Sequence, residues 1–206
     1  MSRRAGEPTR LTLVRHGETQ GESSVRYYGR TDVPLSQLGR AQMQRVRGAL
    51  ISQRFVATYS STLSRSAEAA RIVTGGAQPV TPLAGFDEID FGEWEGLTAE
   101  QIRERQPALY AQWQARRGEF VYPGGESSRD FHSRVARTLH RVLAQAPTGE
   151  LLFVLHKGVI RSIVSELLGV DEVHRRRLCV ALGSIHILAR DHEAWYAETL
   201  DCVGHL

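Results

Sequence analysis

Apolar and polar positions fall into blocks that switch between strand-like runs and helical stripes. Arg10 to Arg15 reads RLTLVR, a short apolar run closed by charge, the pattern of a strand buried in a sheet. Ser36 caps a helix predicted over 36–53, with apolar positions at Leu38, Ala41, Val46, Ala49 and Leu50. Phe55 to Ser60 predicts a second strand and Ser64 to Val73 a second helix. Gly75-Gly76 then breaks the chain before a third strand at Pro79 to Leu83. From Glu126 onward Phe131, Val135, Leu139 and Val142 form one helical stripe. Glu150 to Leu155 is the clearest strand, and Val159, Ile160, Ile163, Val164, Leu167 and Leu168 mark a buried helix over 158–168. Residues 183–190 and 194–200 read as two closing strands. Strands alternating with helices predict an α/β protein, a three-layer α/β/α sandwich with a mainly parallel central sheet.

One stretch departs from the alternation. Residues 86–125 carry aromatics, Pro107, Pro123 and several glycines, with short helices around 98–116. They read as an insertion covering one face of a single domain over 1–206, a length that can bury a sizeable core. Residues 1–9 read as a loose polar leader. The start, MSRRAGEPTR, has no apolar stretch after its arginines, so a cytoplasmic location is expected rather than secretion. Nothing approaches the ~18 consecutive apolar residues of a membrane span, so no membrane partner is expected.

Charge and cysteines narrow the picture further. The net charge is +3, and Lys157 is the sole lysine among 26 cationic residues. The arginines are scattered and largely offset by acids, with Arg175-Arg176-Arg177 as the one run and no aromatic stacking pattern beside them. Nucleic acid is therefore not an expected partner. Cys179 and Cys202 form no CxxC, and no histidines pair at metal spacing, so neither a metal site nor a disulfide is expected.

Two strands end in histidine. Val14-Arg15-His16-Gly17-Glu18 closes the first, and Val154-Leu155-His156-Lys157-Gly158 closes the clearest. Ligands of open α/β sheets bind beyond the carboxyl ends of the strands, so parallel neighbours would bring His16 and His156 to one crevice. A glycine soon after each histidine allows close approach of backbone to ligand. The helix beginning near Gly158 favours an anion at its amino end. A histidine at a strand end is also an ordinary structural residue; two of them, one preceded by arginine, favour the functional reading.

These residues carry a resemblance. LVRHGET at 13–19 resembles the hallmark of the histidine phosphatase superfamily, which includes the phosphoglycerate mutases. GRTDVPLSQLG at 29–39 is similar to the loop and helix start after that hallmark, and YSSTLSRSAEAA at 59–70 to the segment with a second phosphate-binding arginine, here Arg65. FDEIDFGEWEG at 86–96 resembles the acidic loop, PGGES at 123–127 a motif of many phosphatase members, and VLHKGVIRSIV at 154–164 the second histidine segment. Order and spacing agree from about residue 11 to 190.

The resemblance implies a phosphoglycerate mutase-like fold and roles for matching residues. His16 would be the nucleophile, attacking phosphorus through a neutral ring nitrogen and holding the phosphoryl group covalently. Arg15 and Arg65 would clamp the phosphate oxygens, with Gly17 beside them and His156, if protonated, as a further donor. Glu88 would protonate the leaving oxygen and then activate water. That duty needs a raised pKa, which burial against Phe86, Phe91 and Trp94 would supply. Lys157 and Glu22 are the further substrate-binding candidates, and both depart from the family pattern. Glu22 stands where many members have asparagine, and a carboxylate there would repel phosphate. Either it turns toward Arg26 or Arg30, or the pocket is tuned differently. Lys157 replaces a small residue and either assists an anionic substrate or faces water, the second being favoured.

Weaker candidates complete the set. Glu18 is expected to order the turn after His16, and Ser184 to lie near the site as an ordinary strand serine. His132, His140, His174, His186, His192 and His205 show no ligand spacing and read as structural or solvated. The activity implied is a metal-independent, cofactor-free phosphomonoesterase, a histidine acid phosphatase-type phosphoric monoester hydrolase. It would act on a small phosphorylated metabolite through a phosphohistidine and release inorganic phosphate. The alternatives are a mutase-type phosphoryl transferase and a catalytically weak phospho-ligand sensor. The compact 86–125 region and PGGES lean toward the phosphatases. The sequence fixes neither the substrate nor the oligomeric state.

Overall fold

A computed structural model describes residues 9–115, 119–192 and 194–206. Positions 1–8 of the polar leader, and position 116 at the end of the predicted insertion helices, lie outside the described residues. Six strands make one sheet: β1 (Arg10–Arg15), β2 (Phe55–Ser60), β3 (Val80–Pro82), β4 (Glu150–Leu155), β5 (Ile185–Arg190) and β6 (Trp195–Cys202). Their order is β3-β2-β4-β1-β5-β6. The first four are parallel, with Arg15 opposite Leu155, and β5 and β6 run antiparallel at one edge. The sheet is mainly parallel, as expected.

Continuous apolar runs in β1 and β4 follow from burial on both faces. Leu11 and Leu13 of β1, with Leu151, Phe153 and Leu155 of β4, pack into one core; Val14, Leu152 and Val154 pack into the other. Helices α1 (Gln37–Ala49) and α2 (Ser64–Thr74) cover the second face. The first face carries the paired helices α3 (Ala99–Arg105) and α4 (Pro107–Ala115), then α5 (Ser128–Gln145) and α6 (Lys157–Leu168). A four-residue turn of helix, α7 (Glu172–Arg175), follows α6. Each fully buried Leu, Val or Phe contributes about 1.5–3 kcal/mol, so β4, enclosed from Leu151 to Leu155, anchors the molecule.

Differences from the predicted elements lie at their ends. The first helix stops at Ala49 rather than 53, because Leu50 is its last inward residue and Ile51 is 68% exposed. The third strand keeps three residues, since it pairs only with β2 at the sheet edge, where Pro82 is tolerated. The first closing strand starts at Ile185 because Gly183 sits in a left-handed turn (φ 71). Helix α7 has too few apolar positions to show a stripe.

The described residues of the 86–125 segment lie over the first face, their aromatics forming a cluster. Trp94 is fully buried against Tyr27, Tyr110, Trp113, Phe120 and Tyr122, and its indole N–H donates to Gln106 Oε1 at 2.7 Å. Among the described residues, no helix is long and apolar enough to cross a membrane.

Candidate active site

Strands β1 and β4 end side by side, and the two histidines that follow them meet there. The rings of His16 and His156 lie edge to face with centroids 5.1 Å apart, both buried. The His16 backbone N–H donates to Leu155 O at 2.9 Å, tying the end of β1 to its neighbour. Beside them opens a cavity of about 460 Å³ whose lining includes Arg15, His16, Glu88 and Lys157.

The state of His16 follows from its contacts. Nδ1 lies 2.7 Å from Gly17 O, and a carbonyl can only accept, so Nδ1 carries the proton. Burial, then the charges of Arg65 and Arg15, hold the ring's pKa well below the usual histidine range. The ring is neutral at pH 7, with its lone pair on Nε2. Gly17 itself is locked: a Cβ there would stand 2.5 Å from Gly39 O and 2.7 Å from Gly39 Cα. Its role is to hold the nucleophile candidate against the first turn of α1.

His156 is also neutral, its pKa lowered by burial and then by Arg65, His16 and Arg15. It therefore needs no added proton, contrary to the sequence expectation, if its tautomer presents a donor. Nε2 lies 2.7 Å from Ser61 Oγ, which already accepts from Leu63 N–H. When the Ser61 hydroxyl donates to Nε2, the serine is satisfied and the proton of His156 sits on Nδ1. That Nδ1 is buried with no protein partner.

The two arginines share this property. Arg15 donates through Nη1 to Val180 O (2.8 Å), and Arg65 through its two terminal nitrogens to Thr31 O (2.9 Å) and Gly29 O (2.6 Å). Their Nε atoms are buried and unpartnered. Desolvation lowers both guanidinium pKa values, that of Arg15 to about 10, which leaves both charged at neutral pH. Buried polar groups without partners cost about 1–3 kcal/mol each, so three at one place mark a site shaped for something other than stability. Two guanidinium groups and an N–H donor can hold a tetrahedral dianion.

Glu88 is buried at the cavity wall. One carboxyl oxygen accepts from Ile89 N–H (3.0 Å), the other from Gly158 N–H (2.8 Å). Desolvation raises its pKa above the carboxylate norm against the lowering effect of both amides and both arginines. A Cβ on Gly158 would stand 2.4 Å from Glu88 Oε1, so a side chain there would displace the carboxyl from its place against the first turn of α6.

The other expectations resolve individually. Glu22 turns to Arg26 (3.5 Å) and is 68% exposed, one of the outcomes the sequence left open; its backbone is left-handed (φ 62). Lys157 is exposed, the outcome the sequence favoured, and also borders the cavity. Glu18 accepts from Thr19 N–H, Ser23 Oγ and Ser24 N–H, ordering the turn after His16 as expected. The Ser184 hydroxyl pairs with His186 Nε2 (3.0 Å), and its carbonyl accepts from Arg15 N–H.

Several contributors escaped sequence reasoning. Ser61 orients His156 from within the Arg65 segment. Glu95 accepts four backbone N–H groups, of Gly29, Arg30, Thr31 and Phe91, and so shapes the loop whose carbonyls hold Arg65. Glu126 of PGGES pairs with Arg134 (2.8 Å), which donates to Asp87 O next to Glu88. His132, read as structural or solvated, borders the cavity with Arg161, Arg175 and Arg176. The arginine run was the available signal for the last two.

Fold and site together define a class: an α/β sandwich with a buried histidine pair and two arginines at the carboxyl edge of its parallel strands. Residues 11–202 match the histidine phosphatase superfamily (branch 1), and the chain belongs to that family. It is 33% identical over 185 residues to the bifunctional protein Rv2228c of Mycobacterium tuberculosis, covering 88% of this chain and 50% of that protein. The chain thus spans about half the length of that relative. Over 160 residues it is 32% identical to the adenosylcobalamin/alpha-ribazole phosphatase of Salmonella typhimurium, covering 77% of this chain and 79% of that one. Among solved structures, Bacillus stearothermophilus YhfR superposes with a TM-score of 0.85 at 29% identity, covering 96% of this chain and 98% of its own.

Proposed function

We propose that this protein is a metal-independent phosphomonoesterase that works through a phosphohistidine on His16. The observation that carries the reading is a buried, neutral His16 with the His156 ring 5.1 Å away and the charges of Arg65 and Arg15 acting on it, each of these three partners keeping a buried nitrogen unpartnered. Phosphoryl transfer demands mainly positioning and charge stabilisation, and these groups supply both. Nε2 of His16 attacks phosphorus as the bond to the leaving oxygen breaks, and protonated Glu88 gives that oxygen its proton. Glu88, now a carboxylate, takes a proton from water as that water attacks phosphorus. The P–N bond breaks, phosphate leaves, and both side chains return to their starting states.

Burial serves both steps. It keeps His16 unprotonated, hence nucleophilic, and raises Glu88 toward the protonated form it needs first. Arg15, Arg65 and His156 hold the phosphoryl oxygens throughout, and Gly17 O and Ser61 fix the two rings. The substrate is a small phosphorylated metabolite.

The test is hydrolysis of p-nitrophenyl phosphate with EDTA present, comparing wild type with His16→Ala. Turnover that persists in EDTA and disappears in the variant is expected. Turnover abolished by EDTA, or surviving in His16→Ala, would remove His16 from the nucleophile's role.

A further inference from the structure

One wall of the cavity carries more positive charge than a phosphoryl group requires. Arg15, Arg65 and His156 already answer the phosphate at the inner end. Farther out stand Lys157 and Arg161, one turn apart on α6, then Arg175 and Arg176 at the end of α7, all lining the same cavity. Glu88 is the sole carboxylate among the described residues of that lining. Arg176 is paired with Glu172 at 2.6 Å, and Arg161 is tied through Nε to Leu178 O at 2.8 Å. Lys157 and Arg175 have no ion-pair partner among the described residues.

Around each helix the cations act on their neighbours: after desolvation, Arg161 and Arg15 depress the Lys157 ammonium against Glu88, and Arg176 depresses Arg175 against the larger raising effect of Glu172. His132 of α5 sits against α6, with Nδ1 2.5 Å from Ser162 Oγ, whose hydroxyl donates to Gly158 O at 3.0 Å. Burial and then Arg175 and Arg176 push its pKa down to about 3. The wall therefore presents four cationic side chains and a neutral ring to the cavity, with Lys157 exposed at its mouth and Arg176 held in an ion pair, and such a surface attracts an anion.

We propose that this α6–α7 wall is a second anion site, and that the substrate is a phosphomonoester bearing a further carboxylate or phosphoryl group. The phosphoryl to be transferred enters toward His16, and the second anion lies along Lys157 and Arg175. Tyr27, Trp113 and Tyr122 of the lining leave room for the linking scaffold against an aromatic surface. This inference rests on the phosphatase reading for the orientation of the substrate, while the charge of the wall stands apart from it.

The test uses three esters on one scaffold: glycerol phosphate, phosphoglycerate and glycerol bisphosphate. The ratio of kcat/KM for each anionic ester to that for glycerol phosphate is measured in wild type and in Lys157→Gln/Arg175→Gln. At least one ratio is expected to exceed about tenfold in wild type and to collapse toward one in the double variant. The ester that shows it tells carboxylate from phosphoryl. Lys157→Arg/Arg175→Lys, which keeps the charge, should restore most of the ratio and so separates charge from folding. Ratios near one in wild type, or unchanged in the double variant, would overturn the inference. Calorimetric binding of the same esters to His16→Ala gives the ratio without turnover. If no ester is hydrolysed, the phosphatase reading fails, and the binding ratio alone decides the anion site.

Discussion

A buried carboxyl between two backbone amides is where the chemistry of this site is most exposed to test. The pKa of Glu88 is raised by burial, so its acid form persists to higher pH than that of an ordinary glutamate. Because the first step consumes that acid form, kcat/KM for an alkyl phosphate should fall as pH rises through the raised pKa. Glu88→Gln should lose about 10²–10⁴-fold of that activity and also lose the pH dependence, since an amide does not titrate there. A good leaving group such as p-nitrophenolate needs no proton, so with it the loss should shift to the second step. An alkaline limb that survives in Glu88→Gln would assign the acid to another group. The identity of this acid came from resemblance alone: Glu88 is one of five acids between Asp87 and Glu95, and no local pattern marks which is buried.

At the scale of elements, two glycines of α1 offer a contrast. A Cβ on Gly39 would stand 2.0 Å from Glu18 O, whereas one on Gly48 meets nothing within 4 Å. Gly39→Ala should therefore push the 16–18 turn away from α1, lowering stability by about 1–3 kcal/mol and activity with it. Gly48→Ala should add about 0.5–1 kcal/mol by helix propensity alone and leave turnover untouched. Thermal melts and p-nitrophenyl phosphate kinetics on the two variants check both halves. A second contrast concerns Glu95. Its removal in Glu95→Ala leaves four loop amides without their acceptor and frees the carbonyls that hold Arg65. The expected result is a rise in the inhibition constant of inorganic phosphate together with a fall in kcat/KM.

These elements also show what could be read in advance. Strands β1 and β4 were legible to the residue because enclosure on both faces writes them as apolar runs bounded by charge, and β2, half-open, by its β-branched and aromatic residues between polar ends. The ends of α1 and the shortness of β3 were not, since they depend on where the neighbouring layer stops. His16, His156 and Arg15 were legible from their place at strand ends. Ser61 and Glu95 were not, because each acts through a long-range partner that spacing does not reveal. Lys157 is exposed, the outcome favoured from the sequence, but its place beside Arg175 and Arg176 at the cavity was not legible, because those residues come from α7 and no local pattern links them.

The whole molecule carries four histidines whose folded pKa values are depressed by burial: His16, His156, His132 to about 3 and His186 to about 4. In the unfolded chain each takes a proton near pH 6.5. A depressed folded pKa contributes stability that is present above the unfolded value and lost as pH falls through the folded one. Each such histidine makes stability decline by about 1.4 kcal/mol per pH unit below ~6.5. Glu88 has the opposite sign, gaining its proton more readily in the folded state, but it is one group against four. The Tm should fall steeply from pH 7 to pH 5, and His186→Gln should flatten that limb by about one proton's share. A flat profile would mean that these rings are protonated in the native state, and His16 would then lack its nucleophilic lone pair.

Most direct is to catch the phosphoryl group on the chain itself. Wild type is mixed with labelled phosphomonoester, quenched within the first turnover in alkali, digested and sequenced by mass spectrometry. Label that is stable in alkali, lost in acid and confined to His16 is the predicted result, with none retained in His16→Ala and more accumulated in Glu88→Gln. Turnover with label on another residue, or with no covalent label in either wild type or Glu88→Gln, would contradict the account at its centre.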